Sequence, residues 1–130
     1  LQKSVYSKAA AIERRIEIES VSLLSFEDQF PLLAPKSVFN ASQIKKGQRV
    51  GSYFLIENTS KKTVQIKDLI KSSKYVSYEI ESMSIEPGKS TLVKMFVETK
   101  SFNGLSSESI KISVDGFKEE QILTINFEAK

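Results

Sequence analysis

The feature that most constrains this chain is a series of short stretches in which apolar and polar residues alternate. From Ser37 onward these stretches are rich in Val, Ile, Phe, Tyr and Thr, and turn residues separate them at close, regular spacing. Successive side chains of a β-strand point to opposite faces, so a period of two is typical of strands with one buried face. The pattern predicts seven strands, at residues 38–41, 50–57, 63–70, 75–81, 91–98, 108–114 and 121–128.

The alternation also predicts which face of each strand is buried. The expected core consists of Phe54, Ile56, Val64, Ile66, Val93, Met95, Val97, Ile110, Ile112, Val114, Leu123, Ile125 and Phe127. Polar residues such as Ser109, Lys111 and Thr124 lie between them and are expected to face solvent. No connection is long enough for a crossover helix. We therefore predict an all-β, immunoglobulin-like seven-stranded sandwich, in which each sheet covers the apolar face of the other.

One turn has a specific sequence signature. In the segment 86–89, Pro87 presets φ for the second position of a turn, and Gly88 accepts the positive φ that a type II turn requires at the third. We expect a structural role for this turn. Any functional contact is expected in loops at the ends of the sandwich, such as 58–62 or 100–106, or at an edge strand.

The first 35 residues differ in character from the rest. Apolar residues recur there at helical spacing, and then alternate, which favours a short helix over residues 3–14 and a strand over 15–24. Pro31 and Pro35 lie in a stretch that we interpret as a linker. We divide the chain into an N-terminal extension or linker, residues 1–35, and a sandwich domain, residues 36–130. The extension is expected to dock as an extra strand, to bind a neighbouring chain, or to be the tail of a preceding region.

The composition excludes several classes of chemistry. The chain contains no Cys and no His, which removes disulfides, thiolate nucleophiles, imidazole zinc ligands and the Ser-His-Asp arrangement. The 19 basic and 16 acidic residues give a net charge of +3, and the lysines are spread along the chain. Proteins that bind nucleic acid concentrate positive charge on one face, so we expect no nucleic-acid partner.

The remaining candidates for catalysis are weak. Ser42 and Lys45 match the short Ser-x-x-Lys signature, but its companion motifs are missing. Paired carboxylates could share acid and base roles, and occur at Glu27 with Asp28, Glu79 with Glu81, and Glu119 with Glu120. Such pairs are more often solvated. We predict a non-enzymatic domain, and assign no catalytic, cofactor-binding or metal-binding residues and no cofactor.

No apolar run approaches the length of a membrane-spanning helix, which is roughly 20 residues. The chain begins at Leu1 without Met, which suggests a mature form or an excised segment. A signal peptide or lipid anchor removed from the region upstream would be compatible with this start.

Four segments, taken in order, resemble the bacterial family of unknown function called DUF1573. They are Phe39-Asn40-Ala41-Ser42-Gln43-Ile44-Lys45-Lys46-Gly47, Phe54-Leu55-Ile56-Glu57-Asn58-Thr59, Val64-Gln65-Ile66-Lys67-Asp68-Leu69 and Ile85-Glu86-Pro87-Gly88. The resemblance covers roughly residues 37 to 129, and related sandwiches such as the ASH and major sperm protein domains share part of it. Two departures stand out. Ala41 and Ser42 replace a common Phe-Gly pair, and Ser73 and Tyr75 occupy the positions of two family cysteines.

The resemblance implies a domain exported to the bacterial envelope, periplasmic or associated with the outer membrane or cell surface, sometimes as a lipoprotein. It implies no established catalysis, and any role of the paired cysteines cannot pass to Ser73 and Tyr75. We expect an interaction or scaffold domain that binds a protein partner through loops or an edge strand. The alternatives are a carbohydrate-binding module, for which Tyr53, Tyr75, Tyr78 and Phe96 are the candidate aromatic residues, and more remotely a hydrolase.

Overall fold

The computed structural model describes residues 29–130, which form nine strands and no helix. The strands are β1 (Leu32–Leu33), β2 (Val38–Ile44), β3 (Arg49–Asn58), β4 (Val64–Lys71), β5 (Val76–Ile80), β6 (Ser84–Ile85), β7 (Ser90–Glu98), β8 (Gly104–Val114) and β9 (Glu120–Ala129).

The strands form two sheets that pack as a sandwich. One sheet has five strands in the order β2-β9-β8-β4-β6, and the other has four in the order β1-β3-β7-β5. Every pairing is antiparallel except that of β2 with β9, which is parallel. The chain leaves the four-stranded sheet after Leu33 and enters the five-stranded sheet at Val38, so the first two strands lie in different sheets.

The predicted core is confirmed. Every residue that the alternation assigned to it is buried, and Ile56, Val93, Met95, Ile110 and Ile125 have no exposed surface. The structure adds buried apolar residues that the alternation did not assign, namely Leu32, Ala34, Val50, Leu69, Val76, Ile85 and Ala129. Because the inner faces of both sheets are apolar, their mutual burial supplies most of the driving force for folding.

The all-β sandwich is confirmed, with differences at the ends of elements. All seven predicted strands are present, and the two additional ones, β1 and β6, are only two residues long. Strand β8 begins at Gly104 rather than at Glu108, so part of the predicted loop 100–106 is paired with β9. Two residues of the predicted linker, Leu32 and Leu33, pair with β3. The helix and strand predicted for residues 3–14 and 15–24 lie outside the described residues.

The predicted type II turn is also present. The backbone N–H of Lys89 donates to the carbonyl oxygen of Glu86 at 3.0 Å, and Gly88 has a φ of 72°. A residue with a Cβ rarely adopts this conformation, which explains the glycine. The backbone N–H of Gly88 donates to the carbonyl of Asn58, so this turn also contacts the end of β3.

The side chain of Asn58 joins three segments at one end of the sandwich. It is 1% exposed, and its Nδ2 donates to the carbonyl oxygens of Lys62 and Ile85 at 2.7 and 2.8 Å. Its Oδ1 accepts from the backbone N–H and the hydroxyl of Ser60 at 2.9 and 2.7 Å. The side-chain amide of Asn58, through these four hydrogen bonds, therefore holds the loop 58–62 against β6.

We predict that Asn58→Ala lowers the free energy of unfolding by about 2–4 kcal/mol, because it removes the donor to the buried carbonyl of Ile85 and the acceptor of the Ser60 N–H and hydroxyl. Equilibrium unfolding in urea would measure the change. Asn103→Ala is the matched control, since Asn103 is exposed and accepts one hydrogen bond from Lys46. The control is expected to change stability by less than about 0.5 kcal/mol. Equal effects of the two substitutions would contradict the assigned role.

Candidate functional site

Neither sheet closes on itself, so each has borders where backbone groups lack partners. The outer strands β1 and β6 pair with only two residues each of β3 and β4. In the part of the chain that the structure describes, the stretches of strand with one unpaired side include β2, β5, most of β3 and most of β4. An unpaired strand side is a template for pairing with another chain.

Three of these four stretches have features that discourage such pairing. In β2, two residues, Ala41 and Ser42, lie opposite one residue of β9, and Ser42 has a φ of 62°. The open part of β4 contains Lys67 and Lys71, and β5 is only five residues long. Bulges, charged side chains and short length are the usual means by which proteins protect sheet edges.

The open side of β3 lacks these protections. Its residues 50–56 contain no charged side chain, and their pairing with β7 continues without a register shift. Only Glu57 and Asn58 of β3 pair with β1. We call the side of the remaining part of β3 that faces away from β7 the open edge of β3. It is the longest unprotected edge within residues 29–130.

The hydrogen bonds at the end of β3 show which backbone groups reach this edge. The N–H of Asn58 donates to Lys89 next to β7, whereas the N–H of Thr59 donates to Pro31 on the opposite side, at 2.9 and 2.8 Å. Backbone groups of successive residues in a strand point to alternate sides. Leu55, Tyr53 and Gly51 are each an even number of residues away from Thr59. Their N–H and C=O groups therefore point to the same side as those of Thr59, which is the open edge.

An apolar surface lies beside the open edge, on the outer face of the four-stranded sheet. Tyr53 is 67% exposed, Leu55 46% and Leu33 49%, although each belongs to a strand. Leu55 lies directly opposite Leu92 of β7, which is half-buried. We call Leu33, Tyr53, Leu55 and Leu92 the β3 surface. Apolar side chains grouped in this way are typical of interaction sites.

A close contact next to the β3 surface involves a glycine. Gly51 lies opposite Phe96, and a Cβ at position 51 would be 2.7 Å from Cδ1 of that ring. The guanidinium of Arg49 lies over the same ring, 4.1 Å from its centroid, and its Nε is 3.0 Å from a carboxylate oxygen of Glu98. The ring of Phe96 is therefore covered by Arg49 and rests where residue 51 has no side chain.

We predict that Gly51→Ala lowers the free energy of unfolding by about 1 kcal/mol, because the Phe96 ring must move to admit the methyl group. In a Phe96→Ala background the same substitution is expected to be neutral or stabilising, since the obstacle is gone and Ala loses less chain entropy than Gly. Urea unfolding of both pairs of proteins tests this. A similar loss in the two backgrounds would show that the ring contact is not the cause.

A cavity of about 520 Å³ lies on the other sheet, at the end where β2, β8 and β9 meet. Its lining includes Asn40 and Gln43 of β2, Leu105 and Ser107 of β8, and Asn126 of β9. Two hydrogen bonds between side chains link these strands, in addition to their backbone hydrogen bonds. The hydroxyl of Ser107 donates to Oδ1 of Asn126 at 2.7 Å, and Nδ2 of Asn126 donates to Oδ1 of Asn40 at 2.9 Å. We call this region the amide cavity.

The structure does not bring the residues of the Ser-x-x-Lys match into a catalytic geometry. Ser42 lies in the bulge of β2, and Lys45 lies in the turn that follows the strand. The motif needs the lysine one helical turn from the serine, and no helix is present here. Ser42 instead lines the amide cavity.

The carboxylates of the candidate pairs in the described residues contact other groups or are exposed. Glu79 lies 4.0 Å from Lys94, and Glu81 accepts a hydrogen bond from the backbone of Leu92. Glu119 and Glu120 are exposed at the start of β9, and the pair Glu27 and Asp28 lies outside the described residues. Within residues 29–130, no three His, Cys, Asp or Glu side chains form a group that could hold a metal ion. No helix in this part of the chain could cross a membrane.

The four candidate aromatic residues do not form one platform. Tyr53 and Phe96 share the outer face of the four-stranded sheet, but Arg49 covers the Phe96 ring. Tyr78 lies opposite the fully buried Met95, which places its side chain on the inner face. Tyr75 packs edge-on against Phe102 at the end of the sandwich.

Ser73 and Tyr75, the positions where the resemblance places the two family cysteines, make specific contacts in this structure. The hydroxyl of Ser73 donates to Oε1 of Glu108 at 2.6 Å and accepts from the backbone N–H of Tyr75. The Tyr75 ring meets Phe102, which in turn meets the buried Phe127, with centroid distances of 5.3 Å in both pairs. Edge-to-face aromatic packing of this kind is stabilising, and here it extends the hydrophobic core from Phe127 to the end of the sandwich.

A family described as a protein of unknown function, DUF1573, matches residues 32–129. The chain belongs to this family. No curated protein matches it. In this DUF1573 domain the Asn-Thr and Pro-Gly segments on which the resemblance was based have structural roles: Asn58 and Thr59 bind the following loop and Pro31, and Pro87-Gly88 form the type II turn.

Solved structures with the same architecture come from several kinds of protein. A protein of unknown function from Porphyromonas gingivalis matches 79% of this chain and 50% of its own, with a TM-score of 0.63 and 14% identity. The ASH/PapD-like domain 7 of human CEP192 matches 87% of this chain and 97% of its own, with a TM-score of 0.59 and 12% identity. The secreted serine protease VesC from Vibrio cholerae matches 78% of this chain and 23% of its own, with a TM-score of 0.59 and 13% identity.

These similarities show that the DUF1573 domain has an immunoglobulin-like fold of the ASH/PapD-like type. The chain spans half of the Porphyromonas gingivalis protein and about a quarter of the protease, at 50% and 23% of their lengths. The fold therefore occurs as one part of proteins with different functions, and function must be argued from the surface of this chain.

Proposed function

We propose that this domain is a non-catalytic interaction module that binds an extended segment of a protein partner at the open edge of β3. The observation that supports this most is the combination of a long unprotected strand edge with exposed apolar side chains on the same residues. Natural sheets usually protect such an edge, and this chain has protective features at the edges formed by β2, β4 and β5 but not at this one.

The proposed binding mode is strand addition. A partner strand would pair with the N–H and C=O groups of Gly51, Tyr53 and Leu55, which extends the four-stranded sheet by one strand. Main-chain hydrogen bonds of this kind provide affinity without sequence preference. The exposed side chains of Tyr53, Leu55 and Leu33 would select apolar residues at alternate positions of the partner.

We predict that Tyr53→Pro abolishes partner binding, whereas Tyr53→Thr weakens it only moderately. Proline removes the N–H that points to the open edge and leaves the hydrogen bonds between β3 and β7 intact. Threonine keeps that N–H and fits a strand, so it removes only the aromatic contact. A photo-crosslinking residue at Leu33, placed in the full-length protein in its native cells, would report the partner.

The expected result is one defined cross-linked protein, which is lost with Tyr53→Pro and retained with Tyr53→Thr. The same crosslinker at Lys111, on the outer face of the five-stranded sheet, is the control and should not capture that protein. Thermal unfolding of the two Tyr53 variants verifies that both are folded. If Tyr53→Pro captures the same protein as the original chain, strand addition is excluded. If no defined protein is cross-linked at Leu33, binding of a protein partner at the open edge of β3 is excluded.

We propose the bacterial cell envelope as the place of action, periplasmic or associated with the outer membrane or cell surface. The support is the resemblance to an exported family; a lipid anchor upstream would be compatible with it. Fractionation of the native cells is expected to place the full-length protein with the envelope. Recovery in the cytoplasmic fraction would refute the location without affecting the binding mode.

The absence of catalysis is part of the proposal. Its support is the chemistry of the chain, which has no His and no Cys, and the placement of Ser42 and Lys45 on non-helical chain. We predict that fluorophosphonate and β-lactam probes leave Ser42 unmodified, as intact-mass spectrometry would show. A Ser42 adduct that disappears with Lys45→Ala would instead indicate a hydrolase.

A further inference from the structure

The amide cavity lies on the five-stranded sheet, whereas the open edge of β3 belongs to the other sheet. Its lining comes from three neighbouring strands, in which β9 pairs with β8 throughout and with β2 on both sides of the bulge at Ala41 and Ser42. Its volume of about 520 Å³ lies within the range of small-ligand pockets, which is roughly 300–1,000 Å³.

The hydrogen bonds across the three strands set the orientation of the amides. Because the Ser107 hydroxyl donates to Oδ1 of Asn126, the Nδ2 of Asn126 points to β2 and donates to Oδ1 of Asn40. The Nδ2 of Asn40 is then the end of this series of hydrogen bonds, and its two N–H donors are available to a ligand. No group among the described residues accepts a hydrogen bond from it.

Other polar groups around the cavity are also unused. The amide of Gln43 and the hydroxyl of Ser42 have no hydrogen-bond partner within residues 29–130, and the bulge at Ser42 places both residues at the rim. The one charged residue in the lining, Glu128, lies 3.7 Å from Nζ of Lys130. The lining therefore combines unpaired hydrogen-bond donors and acceptors with one carboxylate, which is ion-paired with Lys130.

The apolar residues of the lining are Leu105 and the buried Phe127, and Leu105 is the one that is exposed. Leu105 is 85% exposed although it lies within β8, and it is the most exposed large apolar residue described. A ligand that satisfies this lining must be neutral, must both donate and accept hydrogen bonds at close spacing, and must present an apolar face to Leu105. The hydroxyl groups and C–H faces of a sugar ring meet all three conditions.

We propose that the amide cavity is a binding site for a neutral oligosaccharide, which is held by Asn40, Gln43 and Asn126 and packs on Leu105. This site uses amides in place of the aromatic platform usual in carbohydrate-binding modules. It is independent of strand addition at β3, because the two sites share no residue.

The test is a titration of the isotope-labelled protein with cellobiose, maltose, lactose and N,N′-diacetylchitobiose at millimolar concentration, followed by NMR. We expect at least one sugar to shift the amide signals of Asn40, Gln43, Leu105 and Asn126. Asn40→Ala should weaken the binding about tenfold, because it removes two free donors at the end of the hydrogen-bonded chain. Leu105→Ser should weaken it as well.

Asn103→Ala is the matched control, since Asn103 is an exposed asparagine outside the cavity, and it should leave the affinity unchanged. The dispersion of the NMR spectrum verifies that each variant is folded. The proposal is overturned if no sugar shifts any signal, if the shifts map to the β3 surface, or if Asn40→Ala binds as well as the original protein. Shifts at the cavity with tetra-alanine peptide but with none of the sugars would also overturn it.

Discussion

The mutual burial of two apolar sheet faces is the interaction on which this domain depends. The chain has no cysteine, and within residues 29–130 no helix is available to cover either sheet. Each sheet must therefore be covered by the other, and side chains such as Ile56, Met95 and Ile125 lose all their exposure in doing so. Apolar burial of this extent is the dominant favourable contribution to folding.

The same constraint explains where the surface is available for binding. After Leu33 the chain must cross to the other sheet in order to place β2 next to β9, and this crossing ends the pairing of β1 with β3 after two residues. The open edge of β3 is therefore a consequence of the topology. Because the inner faces are fully occupied by the core, exposed edges and outer faces are the parts of the fold that can vary in function.

The segments on which the resemblance to the family was based explain the fold more than the function. Asn58 satisfies four hydrogen-bonding groups at one end of the sandwich, and Gly88 provides the positive φ of a turn that contacts the same end. At positions 73 and 75, this chain has a hydroxyl bonded to Glu108 and a ring packed on Phe102. Function in this chain is therefore expected to depend on residues outside the shared motifs, such as Tyr53, Leu55 and Leu105.

The alternation of apolar and polar residues predicted the seven longer strands and the buried side of each, from Phe54 in β3 to Phe127 in β9. The strands β1 and β6 were not predictable, because two residues are too few to show a period. The early start of β8 at Gly104 was also missed, since Leu105 is apolar but exposed, and the polar residues after it hide the pattern.

The sequence by itself therefore determined the class of the fold, the composition of the core and the turn at Pro87-Gly88. These depend on side-chain alternation and local backbone geometry, which are properties of neighbouring residues. Only the tertiary structure decided that β3 has an open edge and that Asn40, Ser107 and Asn126 form one hydrogen-bonded chain. Both features arise from pairing between strands that are distant in sequence, and local patterns contain no information on which strands become neighbours.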